Sequence, residues 1–299
     1  MDNTYQIIRD GYSIRHCSRF PSRHPCRKLL SCDFSSDGKI VASGGETAKK
    51  HGAKPFICNV ESLDSVTTSE SHSSTIFDVR FQPGSTIFAT SSADKTVKLW
   101  DAKKRVLCNV VGHTGTVRSL DFLPLGGILC SSDTCDVIKV WDLNQRVMMK
   151  NFMAGSLVRF QPGSGKLLAV ANQNVITILE YPSLVFTNSL QGHVKNICSL
   201  CWDVTRQTIA SVSEDCVSVW SLSMDGKRFQ SVIFHPRHRN VLVVSGFQCM
   251  ELWTLGYGKI HHIRASSSSF TGLAACTGDE FIASTTTSND SESMVNISK

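Results

Sequence analysis

No stretch of this 299-residue sequence approaches the roughly 18 consecutive apolar residues that a membrane-spanning helix needs. The opening residues, MDNTYQIIRDGYSIRH, contain no apolar core of signal-peptide length. These absences predict a soluble, intracellular protein with no membrane partner. The sequence also has no G-x-x-x-x-G-K phosphate loop, no G-x-G-x-x-G turn and no G-x-S-x-G nucleophile elbow. Nucleotide cradling and serine-elbow acyl transfer are therefore unsupported. Cys198-x-x-Cys201 is half of a zinc pattern, but no second Cys/His pair stands at ligand spacing. On a strand, residues three apart point to opposite faces. The expectation is no metal, no cofactor and no enzyme.

Twelve cysteines are present, many of them within apolar runs (Cys130, Cys198, Cys201, Cys249, Cys276). There cysteine is expected to act as a small buried hydrophobe, and a chain of this size needs no disulfide staples. The formal net charge is +6. Residues 1–60 hold ten Lys/Arg against five Asp/Glu. Arg15, Arg19, Arg23, Arg27 and Lys28 would suit an acidic partner or nucleic acid, or form a solvated, loose N-terminus.

What the sequence does contain is a repeat. VKLWD ends at Asp101, IKVWD at Asp142, VSVWS at Ser221 and ELWT at Thr254, while VITILE (175–180) fits between with Leu179 in the Trp place. From Trp100 the steps are 41, 38, 41 and 33 residues. His72, Gly112-His113 and Gly192-His193 stand 27 or 28 residues before their tryptophans. Between them lie alternating strands ending on aromatics (Phe81, Phe122, Phe160, Trp202, Phe234) and second apolar strands such as IFATSS and TIASVS. A period near 40 with Gly-His and Trp-Asp marks is the four-stranded propeller blade. The reading is all-β: a seven-bladed WD40 β-propeller with degenerate first and last blades. Repeats are expected at about 28–61, 72–102, 112–143, 152–181, 192–222, 228–255 and 265–299, within a propeller spanning 12–299 that follows a disordered segment, 1–11. The first copy has Phe56-Ile57-Cys58 where a Trp strand should be. The last offers Met294–Ile297 as a weak third strand after a polar loop over 285–293. Tyr12 and Ile14 are candidates for an N-terminal strand that completes the last blade, since ring closure removes open sheet edges.

Catalytic-looking residues have a structural reading in such blades. His72, Asp94 and Trp100 would form one hydrogen-bonded network. His113, Ser131 and Trp141 would form a second, with His193, Ser211, Asp215 and Trp220 in a third. Each satisfies polar groups that would otherwise be buried unpaired. Cys135 stands at the turn position that Asp94 holds, which predicts an incomplete network there. The penultimate residues of four successive first strands, Asp33, Arg80, Asp121 and Arg159, alternate in sign. They would form ion pairs between blades, or else stand as solvated residues in coincidental order.

The stretches CDFSSDGKIVASGG, ATSSADKTVKLWDA, VRFQPGSGKLLAVANQNVITILE, GHVKNICSLCWD and ASVSEDCVSVWSL occur in this order. Together they resemble the C-terminal WD-repeat half of LEUNIG-type plant transcriptional co-repressors, and even the Trp-less fourth repeat matches. The family's upstream LisH-containing and Gln-rich regions have no counterpart here. The resemblance implies a nuclear, non-enzymatic scaffold that binds transcription factors and co-repressor components. It implies no direct sequence-specific contact with nucleic acid. Without the LisH-containing region a monomer is expected. Ser73, Thr75, Lys95, Thr114, Thr116, Lys195 and Asn196 are the candidate partner-binding rim, and Lys104 and Arg105 would favour an acidic partner. An alternative is a cullin-RING ligase receptor, with Trp100, Asp101 and Lys103 as an adaptor box.

Overall fold

A computed structural model describes residues 17–19, 26–47, 52–62, 64–68, 70–102, 105–203, 209–218, 222–223, 229–236, 238, 241–246, 249–254, 258–264, 268–276, 282–288 and 293–298. Among these residues every regular element is a β-strand, and the strands form seven four-stranded antiparallel sheets. The inner strands of blades 1 to 7 are Cys26–Phe34, Ile76–Phe81, Val117–Phe122, Leu157–Phe160, Ile197–Trp202, Phe229–Phe234 and Ser268–Ala275. Each packs beside the next, and the seventh packs beside the first, so the sheets form a ring.

The hydrophobic pattern explains the ring. Apolar side chains along the first three strands of a blade point alternately to its two faces. Each face meets a neighbouring blade, so the core divides into seven clusters, one per interface. Between blades 1 and 2, Ala42 and Ile57 meet Ile76, Val79, Phe88 and Trp100. Between blades 2 and 3, Ala89, Val97 and Leu99 meet Leu120, Leu129 and Trp141. The series ends where Leu29, Phe34 and Val41 of blade 1 meet Ala274, Cys276 and Ala283 of blade 7. Full burial of a single Leu or Phe contributes about 1.5–3 kcal/mol. No blade has a core of its own, so each depends on its neighbours.

The fourth strands fall between the expected repeats. Arg105–Val111, Val147–Met153 and Val185–Gln191 pair onto the third strands of blades 2, 3 and 4. They are poorly marked in the sequence because they form the outer rim of the ring. Six of the seven residues of Val147–Met153 are exposed, as are six of the seven of Val185–Gln191. No inward face imposes an apolar alternation on them.

Blade 7 closes the ring with an N-terminal strand, Cys17–Arg19, which pairs antiparallel with Ser293–Ser298, Cys17 opposite Ser298. Tyr12, Ile14 and the segment 1–11 lie outside the described residues. The third strand of this blade runs the full length Ser293–Ser298, and its second runs Ile282–Ser288. The polar stretch expected to loop from residue 285 therefore begins as strand. Blade 1 has all four strands, its third being the short Phe56–Asn59.

The cysteines whose side chains are described are free, and the side chain of Cys249 lies outside that set. Cys130 and Cys276 are buried and Cys201 is half-buried, but Cys198 is exposed, contrary to expectation. It sits second in its inner strand, where the strand begins at the open end of the central channel.

Candidate functional site

The recurring His–Trp spacing builds a hydrogen-bond chain inside blades 2 and 3. In blade 2 Trp100 Nε1 donates to Thr90 Oγ1 at 2.8 Å. His72 Nε2 lies 2.7 Å from the same oxygen, and His72 Nδ1 lies 2.8 Å from Asp94 Oδ2. A carboxylate only accepts, so Nδ1–H faces Asp94, and Nε2 of the neutral ring accepts the hydrogen of the Thr90 hydroxyl. Asp94 also accepts from the backbone N–H groups of Ser73 and Thr96. The network thereby ties the loop before the inner strand to the hairpin between the second and third strands.

Blade 3 repeats the chain. Trp141 Nε1 donates to Ser131 Oγ at 2.9 Å, and His113 Nε2 lies 2.7 Å from that oxygen. The expected gap at Cys135 is filled: Asp133, at the end of the second strand, holds His113 Nδ1 at 3.0 Å. It also accepts from the N–H groups of Cys135 and Val137. The carboxylate has moved two residues back along the chain and kept the same work, so the turn spacing alone did not reveal it. Thr90 was also missed, although it stands ten residues before Trp100 as Ser131 does before Trp141.

Burial holds the imidazoles of His72 and His113 below the ordinary histidine range, against the pull of Asp94 and Asp133. Burial raises the Asp94 carboxyl, but its bonds to His72 and Thr96 outweigh this and leave it well below the usual range. Neutral rings held by charged carboxylates suit a fixed scaffold. A triad has no accessible nucleophile here, because Ser131 and Thr90 are fully buried.

In blade 5 His193 Nε2 lies 2.8 Å from Ser211 Oγ, and Asp215 Oδ2 accepts the Val194 N–H at 2.6 Å. Trp220 lies outside the described residues. Blade 4 carries no such network: Leu179 replaces Trp and packs with Leu168 and Val170. Blade 6 keeps Trp253, whose Nε1 donates to the buried Glu251 at 3.1 Å.

The channel charges follow a different rule from simple alternation. Asp33 Oδ2 accepts the Phe81 N–H and Asp121 Oδ2 accepts the Phe160 N–H, both at 2.7 Å. Each aspartate thus stitches its blade to the next. Arg80 approaches Asp33 only at 4.0 Å but Asp78 at 3.4 Å, and Arg159 lies 3.1 Å from Asp78. Asp78, outside the four-residue pattern, is the centre of the cluster. It also accepts from the Ser31 and Ser119 hydroxyls and the Leu120 N–H. Burial raises the Asp78 carboxyl, while Arg159 and Arg80 bring it net below the ordinary range. Burial pushes Asp33 up to about 6, against the pull of Arg80.

Arg80 and Arg159 line both halves of the channel, a chamber of about 440 Å³ toward Trp202 and His235 and one of about 360 Å³ toward Lys28 and Arg118. The second opens on the face that carries the rim. Arg118 is exposed there, its guanidinium 4.8 Å from the Phe77 ring centre. Neither Arg118 nor Phe77 stood out in the sequence, because they fall at ordinary strand positions.

The rim residues share that end of the ring. Ser73, Lys95, Thr114, Lys195 and Asn196 are exposed, and Thr75 and Thr116 half-buried. The Ala93 N–H donates to the Thr75 carbonyl and the Thr134 N–H to that of Thr116, which holds the two loops of each blade together. Lys95 sits at a left-handed φ of 68°, as Asp136 and Gln173 do at 59° and 52° in the next two blades. Such a backbone costs a side-chain-bearing residue about 1–2 kcal/mol. Lys195 pairs with Glu214 at 3.4 Å. Of the adaptor box, Trp100 is fully buried in the blade 2 network, Asp101 is half-buried, and Lys103 lies outside the described residues. Lys104 lies outside them too.

A ring of four-stranded blades, with His–hydroxyl–Trp chains pinning their loops, defines a WD-repeat β-propeller. The family WD domain, G-beta repeat matches residues 63–101, 104–142 and 184–221, which take in the first three strands of blades 2, 3 and 5. The chain has a LEUNIG-like WD region: it is 38% identical over 246 residues to the transcriptional corepressor LEUNIG_HOMOLOG of Arabidopsis thaliana. That alignment covers 77% of this chain and 30% of the relative. A shorter match, 34% identical over 84 residues, joins it to a U4/U6 small nuclear ribonucleoprotein PRP4-like protein of Arabidopsis thaliana, covering 28% of this chain and 14% of that one.

Proposed function

We propose that this propeller is a non-catalytic protein-interaction platform in transcriptional co-repression. It acts in the nucleus as a monomer and binds transcription factors and repressive machinery through its rim face. The observation that carries this reading is the 38% identity to a transcriptional corepressor over 77% of the chain. The face supplies what such a partner needs: fixed polar loops around a channel mouth with two exposed cations, Lys28 and Arg118. Polar rims around a few anchors are ordinary interface anatomy. The positive mouth favours an acidic segment in the partner.

The test is affinity capture from nuclear extract with the intact chain and with a Lys28→Glu/Arg118→Glu double variant. Transcription factors and co-repressor components bound by the first and lost from the second are the expected result. Capture of a cullin-RING adaptor in their place, or equal capture by both proteins, overturns the reading.

A further inference from the structure

Blade 5 departs from blade 2 at the imidazole. In blade 2 the Thr96 hydroxyl lies 3.1 Å from His72 Nδ1 and donates to Asp94 Oδ1 at 2.6 Å. Strand register puts Cys216 in the place of Thr96, since Val97 pairs with Ser91 as Val217 pairs with Val212. The hydroxyl is thus exchanged for a thiol. Cys216 Sγ lies 3.3 Å from His193 Nδ1, and Asp215 Oδ1 lies 3.4 Å from the same nitrogen. The matching His–Asp distances in blades 2 and 3 are 2.8 and 3.0 Å. The carboxylate has drawn back and a sulfur has moved in.

The ring has a second tautomer open to it here. Ser211 Oγ lies 3.1 Å from the Ser218 carbonyl, so its hydrogen has an acceptor besides His193 Nε2, 2.8 Å away. When that hydrogen goes to the carbonyl, Nε2–H donates to Ser211 and Nδ1 turns a lone pair toward the Cys216 thiol and the Asp215 carboxylate. A nitrogen, a sulfur and a carboxylate oxygen then converge on one point, where a cation can replace the thiol proton.

We propose that His193 Nδ1, Cys216 Sγ and Asp215 Oδ1 bind a zinc-class divalent cation. Bonds of about 2.0–2.1 Å to nitrogen and about 2.3 Å to sulfur at a tetrahedral angle put the two atoms roughly 3.5 Å apart. The separations seen are already of that order. A thiolate, an imidazole and a carboxylate form a borderline-soft set that suits Zn²⁺ over Mg²⁺ or Ca²⁺. Among the described residues this is the one group of three such side chains whose donor atoms converge. His193 is held from behind by Ser211, the outer-shell bond that fixes the tautomer of a metal-binding histidine. Asp215 is 19% exposed, so the fourth position opens to water.

Co²⁺ titration of the full chain tests the site independently of any role in co-repression. One cobalt per chain is expected, with a thiolate-to-cobalt charge-transfer band that Zn²⁺ displaces. Cys216→Ser abolishes the band and keeps the fold, because serine restores the hydroxyl that blade 2 uses. Cys198→Ser, at the exposed cysteine of the channel mouth, leaves the band intact. Asp215→Asn weakens the metal at least about tenfold, and Ser211→Ala, a positioning change, weakens it roughly 10–100-fold. A band that survives Cys216→Ser in folded protein, or a folded wild type that binds no cobalt, overturns the proposal.

Discussion

Blades 3 and 4 are neighbours with the same four-strand plan, and they solve the same packing problem in opposite ways. Blade 3 buries His113, Ser131, Asp133 and an indole N–H and satisfies each of them internally. Blade 4 buries Val170 and Leu179 at the matching places and has no polar group there to satisfy. The substitutions come as a set. A Trp without a hydroxyl, or a hydroxyl without a His, would leave a buried donor or acceptor unmet at a cost of about 1–3 kcal/mol. The network is therefore one unit, present whole or replaced whole. Blade 6 is the exception that supports the rule, because Trp253 survives without the His and hydroxyl and finds Glu251 instead.

The comparison is broken most severely by His113→Leu. That change takes the ring donor from Asp133 and the ring acceptor from the buried Ser131 hydroxyl, and a loss of about 1–3 kcal/mol for each group left unmet is expected in denaturant unfolding. Any smaller loss than that of a surface substitution would mean that blade 3 does not depend on its polar unit.

Leu179→Trp tests the other side. It adds an indole N–H to a blade with no acceptor and overfills its core, so a loss of about 1–3 kcal/mol is expected. Adding Val170→Ser to supply an acceptor should recover part of the loss, measured as the coupling in a double-mutant cycle.

The mildest test is pH. Folded-state values of His72 and His113 lie below the ordinary histidine value of about 6.5. The unfolded chain therefore takes up more protons below that value. Stability in blades 2 and 3 is full above it and declines as pH falls through it, by at most about 1.4 kcal/mol per pH unit for each ring. Hydrogen-exchange protection in Thr96–Asp101 and Val137–Asp142 should fall between pH 7 and pH 5 relative to Val175–Glu180, the third strand of the blade without the network. Equal changes in all three strands would contradict this account.

Much of this was legible in the chain. Trp100, Trp141, His72, His113 and their near-40-residue period carry the blade, since a Trp strand packed on a neighbour needs the same residues in the same order each time. Asp94 was readable from the same spacing. Asp133 was not, because its carboxylate reaches the same point in space from a different place in sequence. The fourth strands were not, because Val147–Met153 and Val185–Gln191 lie at the rim and no buried face orders their residues. Cys216 lay unremarked in the sequence, for its meaning depends on the strand register that sets it where Thr96 stands in blade 2.

By itself the sequence determined that the chain folds as repeated sheets in a ring. Period-2 alternation broken by turns, recurring every 40 residues or so, leaves each sheet with two apolar faces and no way to bury both except between neighbours. Tertiary structure alone decided which charges meet. Asp78 joins Arg80 of its own strand to hydroxyls and an arginine from three other blades, 41 residues or more away in sequence, and Lys28 and Arg118 reach one channel mouth from blades 1 and 3. Electrostatic and hydrogen-bond partners are set by distances of a few ångströms, and those distances exist only once the ring has closed.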